Sequence, residues 1–546
     1  MIKKLYTLGL FALGLTALSA QDVELTRVGG YATGVFDEGA CEIVSYSPST
    51  GQLYYVNANA GTVGILGIAN PTNPTEVATV DVITATTTQS FIPGGVNAVA
   101  VGPDYFVVAV ENDDKQANGV LAFFQLDGTF ITSVDAGALP DNVQVSASGD
   151  YVVSANEGEP NDDYTIDPLG SITIVDVSGG VATVSNNEAN TYDFTAWNGQ
   201  TFTDGTRIFG EQPGGASTVA EDLEPEYVAF NQDQTKAFVT CQENNTVITI
   251  DLASGNLDAI NGLGYKDHSL SGNGIDPSDK ADDITIQTAP VYGMFQPDAM
   301  VSYTVDGVEY LFTANEGDAR DYAGDFTGYS EEDRLKDLTL DATAFPNAAT
   351  IQDENSLGRL KVTTSQGDTD GDGDFDEVYI YGARSFSIWD VSDMSLTYDS
   401  GDDFEQQLLI ADPVNFNSTN DEHDTRKNRS DDKGCEPEAI DVGTIGDNVY
   451  AFIGLERMGG IMVYDVTDVN AVEFKTYNNY RNFDVDATSP LAGDLAPECV
   501  KFISADDHSG DQDLLVVSNE VSGTISIYAI YAPEADGNNG GGTSIN

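Results

Sequence analysis

Residues 437–466, PEAIDVGTIGDNVYAFIGLERMGGIMVYDV, contain three short apolar strands in a row. The first opens with Pro437-Glu438-Ala439-Ile440. The second ends on Ile453-Gly454-Leu455-Glu456, and the third is the alternating run 460-GIMVYDV-466. Period-2 alternation between Gly, Asn and Asp turns is the pattern of strands rather than helices. The opening piece recurs as Cys41-Glu42-Ile43-Val44, Pro140-Asp141-Asn142-Val143, Pro225-Glu226-Tyr227-Val228, Pro297-Asp298-Ala299-Met300 and Pro497-Glu498-Cys499-Val500. The apolar run with a polar-acidic end recurs at Glu111, Glu157, Glu243, Glu316 and Glu520, and the alternating run at 171-SITIVDV-177, 246-TVITIDL-252, 385-SFSIWDV-391 and 524-TISIYAI-530. A repeat made only of short strands predicts an all-β fold, a β-propeller of the YVTN/WD40-like type with inserted loops, one unit per blade. Seven and eight blades both fit, because 298–391 is irregular and its strand 358-GRLKV-362 can belong to either neighbour.

Strand direction carries a functional expectation. The first strand of a blade lines the channel and the second runs antiparallel to it, so the start of one and the end of the other share a face. Glu42, Asp141, Glu226, Asp298, Glu438 and Glu498 then ring one channel mouth, with Glu111, Glu157, Glu243, Glu316, Glu456 and Glu520 outside them. Carboxylates crowded into a partly dry funnel repel unless cations or protons compensate. Glu42, Glu226, Glu438 and Glu498 are therefore a candidate metal site, for which oxygen ligands favour calcium. The structural alternative is that each carboxylate caps backbone N–H groups of a neighbouring blade, a device that would repeat with the blades. Arg320, Arg384 and Arg457 are expected near the same face, either to grip a phosphate through bidentate bonds or to neutralise the acidic ring.

The strongest local signal is 368-DTDGDGDFDE-377. Asp368, Asp370, Asp372, Asp374 and Asp376 alternate on a Gly-rich loop, an arrangement that converges on one hard cation. The spacing begins like an EF-hand loop and then departs from it: the twelfth position is Tyr379, and strands flank the loop. Glu377 is the candidate replacement ligand. The expected ion is Ca2+.

The whole chain has 546 residues, with 89 acidic and 22 basic side chains, so the net charge is −67 (22 − 89). That balance excludes nucleic acid as a partner, since a phosphate backbone needs a Lys/Arg stripe. Residues 1–20 read as a signal peptide, with Lys3 and Lys4 before the apolar Leu5–Leu18 and a small-residue end at Leu18-Ser19-Ala20. No later segment is long and apolar enough to span a membrane. The expected organisation is a propeller over 21–531, insertions at about 318–357 and 399–434, and a Gly/Asn-rich flexible tail at 532–546. The protein is expected to be exported, extracellular or periplasmic, with possible surface association, and monomeric because a closed ring leaves no free sheet edge. Cys41, Cys241, Cys435 and Cys499 allow three full disulfide pairings, free buried thiols and metal ligation being the other readings.

The segments 140–177, 318–347, 379–391 and 415–438 resemble the choice-of-anchor I family, which includes mesenchyme-specific cell-surface glycoproteins linked to biomineralisation. The resemblance implies an exported, propeller-like, calcium-associated protein that binds an extracellular ligand, matrix or mineral. Some bacterial relatives carry the label alkaline phosphatase. The alternative function is therefore a metal-dependent phosphatase acting on a phosphorylated small molecule at the acidic mouth. Propeller phosphatases of the PhoX type use iron and calcium on Glu, Asp and Cys ligands, and by similarity Glu226, Cys435, Glu438, Glu498, Cys499, Arg384 and Arg457 can supply those roles, with Fe as the transition metal. With only His268, His423 and His508, a His-rich zinc site is disfavoured. No Ser/His/Asp set, P-loop or dinucleotide fingerprint stands out, which favours binding over catalysis.

Overall fold

A computed structural model describes residues 23–212, 215–322 and 329–532; the expected signal peptide and all of the expected tail except Ala532 lie outside them. Among the described residues, seven four-stranded antiparallel sheets succeed one another along the chain. Blade 1 is Val44–Ser47, Gln52–Asn57, Thr62–Gly67 and Thr75–Asp81, and blade 2 is Pro93–Val101, Tyr105–Asn112, Asn118–Gln125 and Phe130–Ala138. Blade 3 runs from Pro140–Val145 through Tyr151–Asn156 and Ser171–Asp176 to Ala189–Asp193; blade 4 comprises Val228–Phe230, Lys236–Cys241, Thr246–Asp251 and Leu257–Gly262. Blade 5 is Met300–Val305, Val308–Asn315, Ser385–Asp390 and Ser395–Asp399, and blade 6 is Pro437–Ile445, Asn448–Leu455, Ile461–Asp465 and Glu473–Asn478. Blade 7 takes Pro497–Ile503, Leu514–Asn519 and Thr524–Tyr531 from the end of the chain and its outer strand, Glu24–Ala32, from the beginning.

The cores confirm the count of seven. Each adjacent pair of blades encloses its own apolar cluster, and the cycle returns to its start. Blades 5 and 6 share Phe312, Phe386, Ile388, Ala451 and Ile453, while blades 7 and 1 share Leu53, Leu66, Val516 and Ile525. Alternation serves this geometry: Phe386 and Ile388 face blade 6, and Trp389, one residue on, faces blade 4 with Leu311 and Phe238. Burying each such side chain stabilises by about 1.5–3 kcal/mol. The strand read in 358-GRLKV-362 belongs to no blade. Lys361–Thr363 pairs with Glu332–Arg334 in a separate two-stranded sheet.

That sheet lies within residues 316–384, which leave blade 5 after its second strand and return at its third. The excursion has a core of its own, including Leu335, Leu360, Val362, Val378 and Ile380. At its neck the backbone crosses itself: Gly317 and Gly382 both have positive φ (89° and 69°). A Cβ on Gly382 would collide with the Glu316 carbonyl, and one on Gly317 with the Gly382 amide. Only glycine fits both conditions. Residues 400–436 form a second connecting segment, whose helix Asp403–Ala411 buries Phe404 and Leu408 against blades 5 and 6.

Candidate metal centres

The acidic residues reach the channel mouth through a repeated backbone device. Leu139, Gln296, Glu436 and Ala496 adopt left-handed φ (48°, 44°, 50° and 58°), and each immediately precedes the proline that opens a first strand. The bend is pinned from the second strand: Glu157 N donates to Leu139 O at 2.9 Å, Glu456 N to Glu436 O at 2.8 Å and Glu520 N to Ala496 O at 2.8 Å. The same bonds bring an outer carboxylate beside each inner one. Ladder irregularities follow at Pro140/Val143, Pro437/Ile440 and Pro497/Cys499, so Asp141, Glu438 and Glu498 sit where a bulge frees the strand to re-aim its side chain. Strained backbone of this kind gathers at functional sites.

A cavity of about 330 Å³ results, lined by Glu42, Glu111, Asp141, Glu157, Asp298 and Glu498 among others. Burial, then the charges of Glu520 and Asp141, pushes Glu42 up to about 8. Burial with Glu111 and Glu159 raises Asp141 to about 7. Glu157, Glu226, Asp298, Glu438, Glu456 and Glu498 are likewise raised, each chiefly by burial. The capping alternative is seen at Glu226, which accepts from the Gln242 amide at 3.2 Å.

The four residues first paired as a metal site are not the ones that converge most closely. Ligand atoms of Asp298, Glu316 and Glu438 lie within 4.8 Å of one another, as do those of Glu316, Glu436 and Glu456. Glu438 alone of the original four belongs to such a group among the described residues. Glu316 and Glu436 were legible only as an outer-ring acid and as the residue before a proline.

Protein cations occupy part of this cluster. Lys433 Nζ lies 2.8 Å from Glu316 and 3.5 Å from Glu436, Arg429 lies 2.6 Å from Glu436, and Arg457 lies 2.7 Å from Glu436 and 3.1 Å from Glu456. Burial opposes ionisation of Glu436, yet Lys433, Arg429 and Arg457 hold it far below the usual carboxylate range. The basic stretch 426–433 thus supplies internal counter-ions. Arg320 and Arg384, both 2% exposed or less, do the same elsewhere. Arg320 binds Asp222 at 2.6 Å and Glu224 at 3.1 Å. Arg384 binds Glu405 at 2.7 Å and the carbonyls of Asp276, Ser430 and Asp432. Of the two roles expected for these arginines, neutralisation is the one this geometry serves; a phosphate has no path to a guanidinium sealed inside the protein. Arg457, with 23% of its side chain exposed, stays beside the mouth.

The four thiols are buried and unbridged. Cys435 packs in the core between blades 5 and 6, and Cys499 Sγ points at Val44 O at 3.6 Å. Among the described residues, every group of three convergent ligand atoms consists of carboxylates, without a thiol or imidazole.

The aspartate loop gives two further groups: Asp368, Asp370 and Asp376, and Asp341, Asp374 and Asp376. Asp368 accepts from Gly371 N at 2.7 Å and Gly373 N at 3.0 Å, folding the loop back on itself. Both glycines have positive φ (80° and 100°). Asp376, shared by the two groups, accepts from Thr369 N and Oγ1 at 2.9 and 2.7 Å. Asp341 arrives through a parallel bridge of Leu340 with Phe375, in which Asp341 N donates to Phe375 O at 3.0 Å. Loss of hydration, then Asp372, raises Asp374 to about 6. Asp372 and Glu377 fall outside both groups; Glu377 instead accepts from Tyr379 OH at 2.6 Å. An all-carboxylate donor set suits a hard cation such as calcium.

Residues 42–469 match the choice-of-anchor I domain. Gigasin-3a of Magallana gigas is 32% identical over 195 residues, 33% of this chain and 66% of that protein. The mesenchyme-specific cell surface glycoprotein of Strongylocentrotus purpuratus is 26% identical over 289 residues, 47% of this chain and 36% of that protein. The aligned parts thus cover less than two-thirds of either relative. Among solved structures, Kuenenia stuttgartiensis hydrazine synthase superposes with a TM-score of 0.43 at 10% identity, covering 91% of this chain and 98% of that one. A streptogramin B lyase does so with a TM-score of 0.43 at 11% identity, covering 94% and 98%. No described helix is long and apolar enough to cross a membrane. The chain belongs to the choice-of-anchor I family.

Proposed function

We propose that this choice-of-anchor I protein is an exported, calcium-binding β-propeller that acts at or outside the cell surface, in adhesion or in matrix or mineral contact. The observation that carries the reading is the convergence of Asp341, Asp368, Asp370, Asp374 and Asp376 on the blade 5 excursion. Four of these carboxylates lie within nine residues, with no Lys or Arg in the loop. One Ca2+ would supply the missing positive charge and fix the loop on the excursion's core, making a rigid acidic surface from a self-repelling one. The name of the sea-urchin relative, a cell surface glycoprotein, supports the location. Enclosure of Arg320 and Arg384 favours binding over phosphate turnover, since two of the three candidate phosphate ligands are spent on internal carboxylates.

Calorimetric titration of the full chain with calcium, against the Asp370→Asn/Asp376→Asn double variant, tests this. The variant removes the aspartate common to both groups, so its loop affinity should fall at least as far as for lost outer-shell partners, about 10–100-fold. Unchanged affinity and stoichiometry would remove the loop from the account. Phosphomonoester hydrolysis that requires Arg457 would replace the binding reading with the catalytic one.

A further inference from the structure

We infer that the channel mouth holds a second calcium site, built from Asp298, Glu316 and Glu438 and independent of the aspartate loop. The first argument is a charge inventory. Asp298, Glu316, Glu436, Glu438 and Glu456 bring five negative charges together, and Lys433, Arg429 and Arg457 answer with three positive ones. Arg429 and Lys433 also answer Asp432 and Asp318, so the deficit is at least two (5 − 3), and it has an address. Glu436 receives all three cations, Glu456 receives Arg457 and the Asn420 amide, and Glu316 receives Lys433 and the Gln242 amide. Among the described residues, no N–H or O–H donor outside the carboxyl cluster itself reaches the side chains of Asp298 or Glu438. Glu438 is only 7% exposed, so its carboxylate is left with little water and with other carboxylates for neighbours. A buried acid left so costs several kcal/mol unless something positive joins it.

The second argument is geometric. One ligand oxygen from each of the three residues lies within 4.8 Å of the other two. Three carboxylate oxygens close enough to meet on one ion make a donor set that suits a hard cation such as calcium. The ligands come from three places the propeller fixes separately: before the first strand of blade 5, after its second strand and the first strand of blade 6. Asp298 also lines the 330 Å³ cavity, which gives an ion its way in. Lys433 binds Glu316 at 2.8 Å and orients it.

Equilibrium dialysis with radioactive calcium on the full chain, after chelator treatment, tests the site in the loop-deficient Asp370→Asn/Asp376→Asn background. One bound calcium per chain should remain there, and adding Glu438→Gln should abolish it. Glu438→Gln is near-isosteric and removes a repelling charge, so that variant should unfold at the same or higher temperature in chelator and lose the rise that calcium gives the loop-deficient parent. No calcium bound in the loop-deficient background would overturn the mouth site without touching the loop reading. Calcium that persists at full stoichiometry after Glu438→Gln would overturn it as well. A loop variant with the parent's stoichiometry would sink the loop reading alone.

Discussion

The aspartate loop and the channel mouth are both crowded with carboxylates, yet they solve the crowding in opposite ways. The loop is contiguous in sequence and largely in water, and its carboxylates accept from its own amides, as Asp368 does from Gly371 and Gly373. Its remaining repulsion is screened by solvent, so an ion there is optional for the fold. The mouth draws its acids from all seven blades, largely removes them from water, and meets part of the charge with Lys433 and Arg429 from a connecting segment and Arg457 from blade 6. Compensation there is a condition of the propeller being closed. The same residue type thus serves an outward surface in one place and a folding constraint in the other.

Three experiments sharpen that contrast. The largest effect should come from removing an internal counter-ion: Arg320→Met leaves Asp222 and Glu224 buried without their cation, and should cost about 3–5 kcal/mol in denaturant unfolding. A cost under about 1 kcal/mol would mean that water reaches Asp222 and Glu224, and that burial does not make an internal counter-ion obligatory. Next comes pH. The folded protein keeps protons on Glu42 and Asp141 to about 8 and about 7, whereas the unfolded chain releases them near 4.5 and 3.8. The folded state binds more protons between those limits, so in chelator these two groups should make the melting temperature fall as pH rises from 5 to 8. Glu436 runs the other way: its folded value lies below the unfolded one, so its contribution is present above about pH 4.5 and lost only on strong acidification. Melting curves that climb across pH 5–8 without cations would show the mouth to be fully compensated by the protein. The smallest effect belongs to a surface pair, Lys236 with Asp258 at 2.8 Å, whose side chains are 41% and 39% exposed. Lys236→Ala should change stability by no more than about 1 kcal/mol.

The propeller was legible in sequence because each blade repeats a local alternation, and the acid-bearing strand starts told which residues would meet at one mouth. The count of blades was not, because Lys361–Thr363 has the same local pattern as a blade strand and only its pairing with Glu332–Arg334 excludes it. The aspartate loop was legible as five alternating acids, but Asp341 was invisible: it joins Asp374 through a bridge across more than thirty residues. Nor could spacing show that residues 426–433 fold into the acidic cluster, since ion pairing between distant segments leaves no periodicity. The left-handed residues before Pro140, Pro297, Pro437 and Pro497 escaped for a related reason, because Leu, Gln, Glu and Ala carry no signature of positive φ.

Closure of blade 7 has a mechanical side. Glu24 pairs with Tyr531 and Ala32 with Thr524, so the first and last described strands run antiparallel with Glu24 and Tyr531 at the same rim of the disc. Tension between those two points would load the ladder one rung at a time, like a zipper pulled from its open end. Tension between Tyr531 and a ligand held at the channel mouth would pass through blade 7 without opening that zipper. The ring would then transmit a steady pull across its disc while yielding readily to a tug on both ends of its own seam.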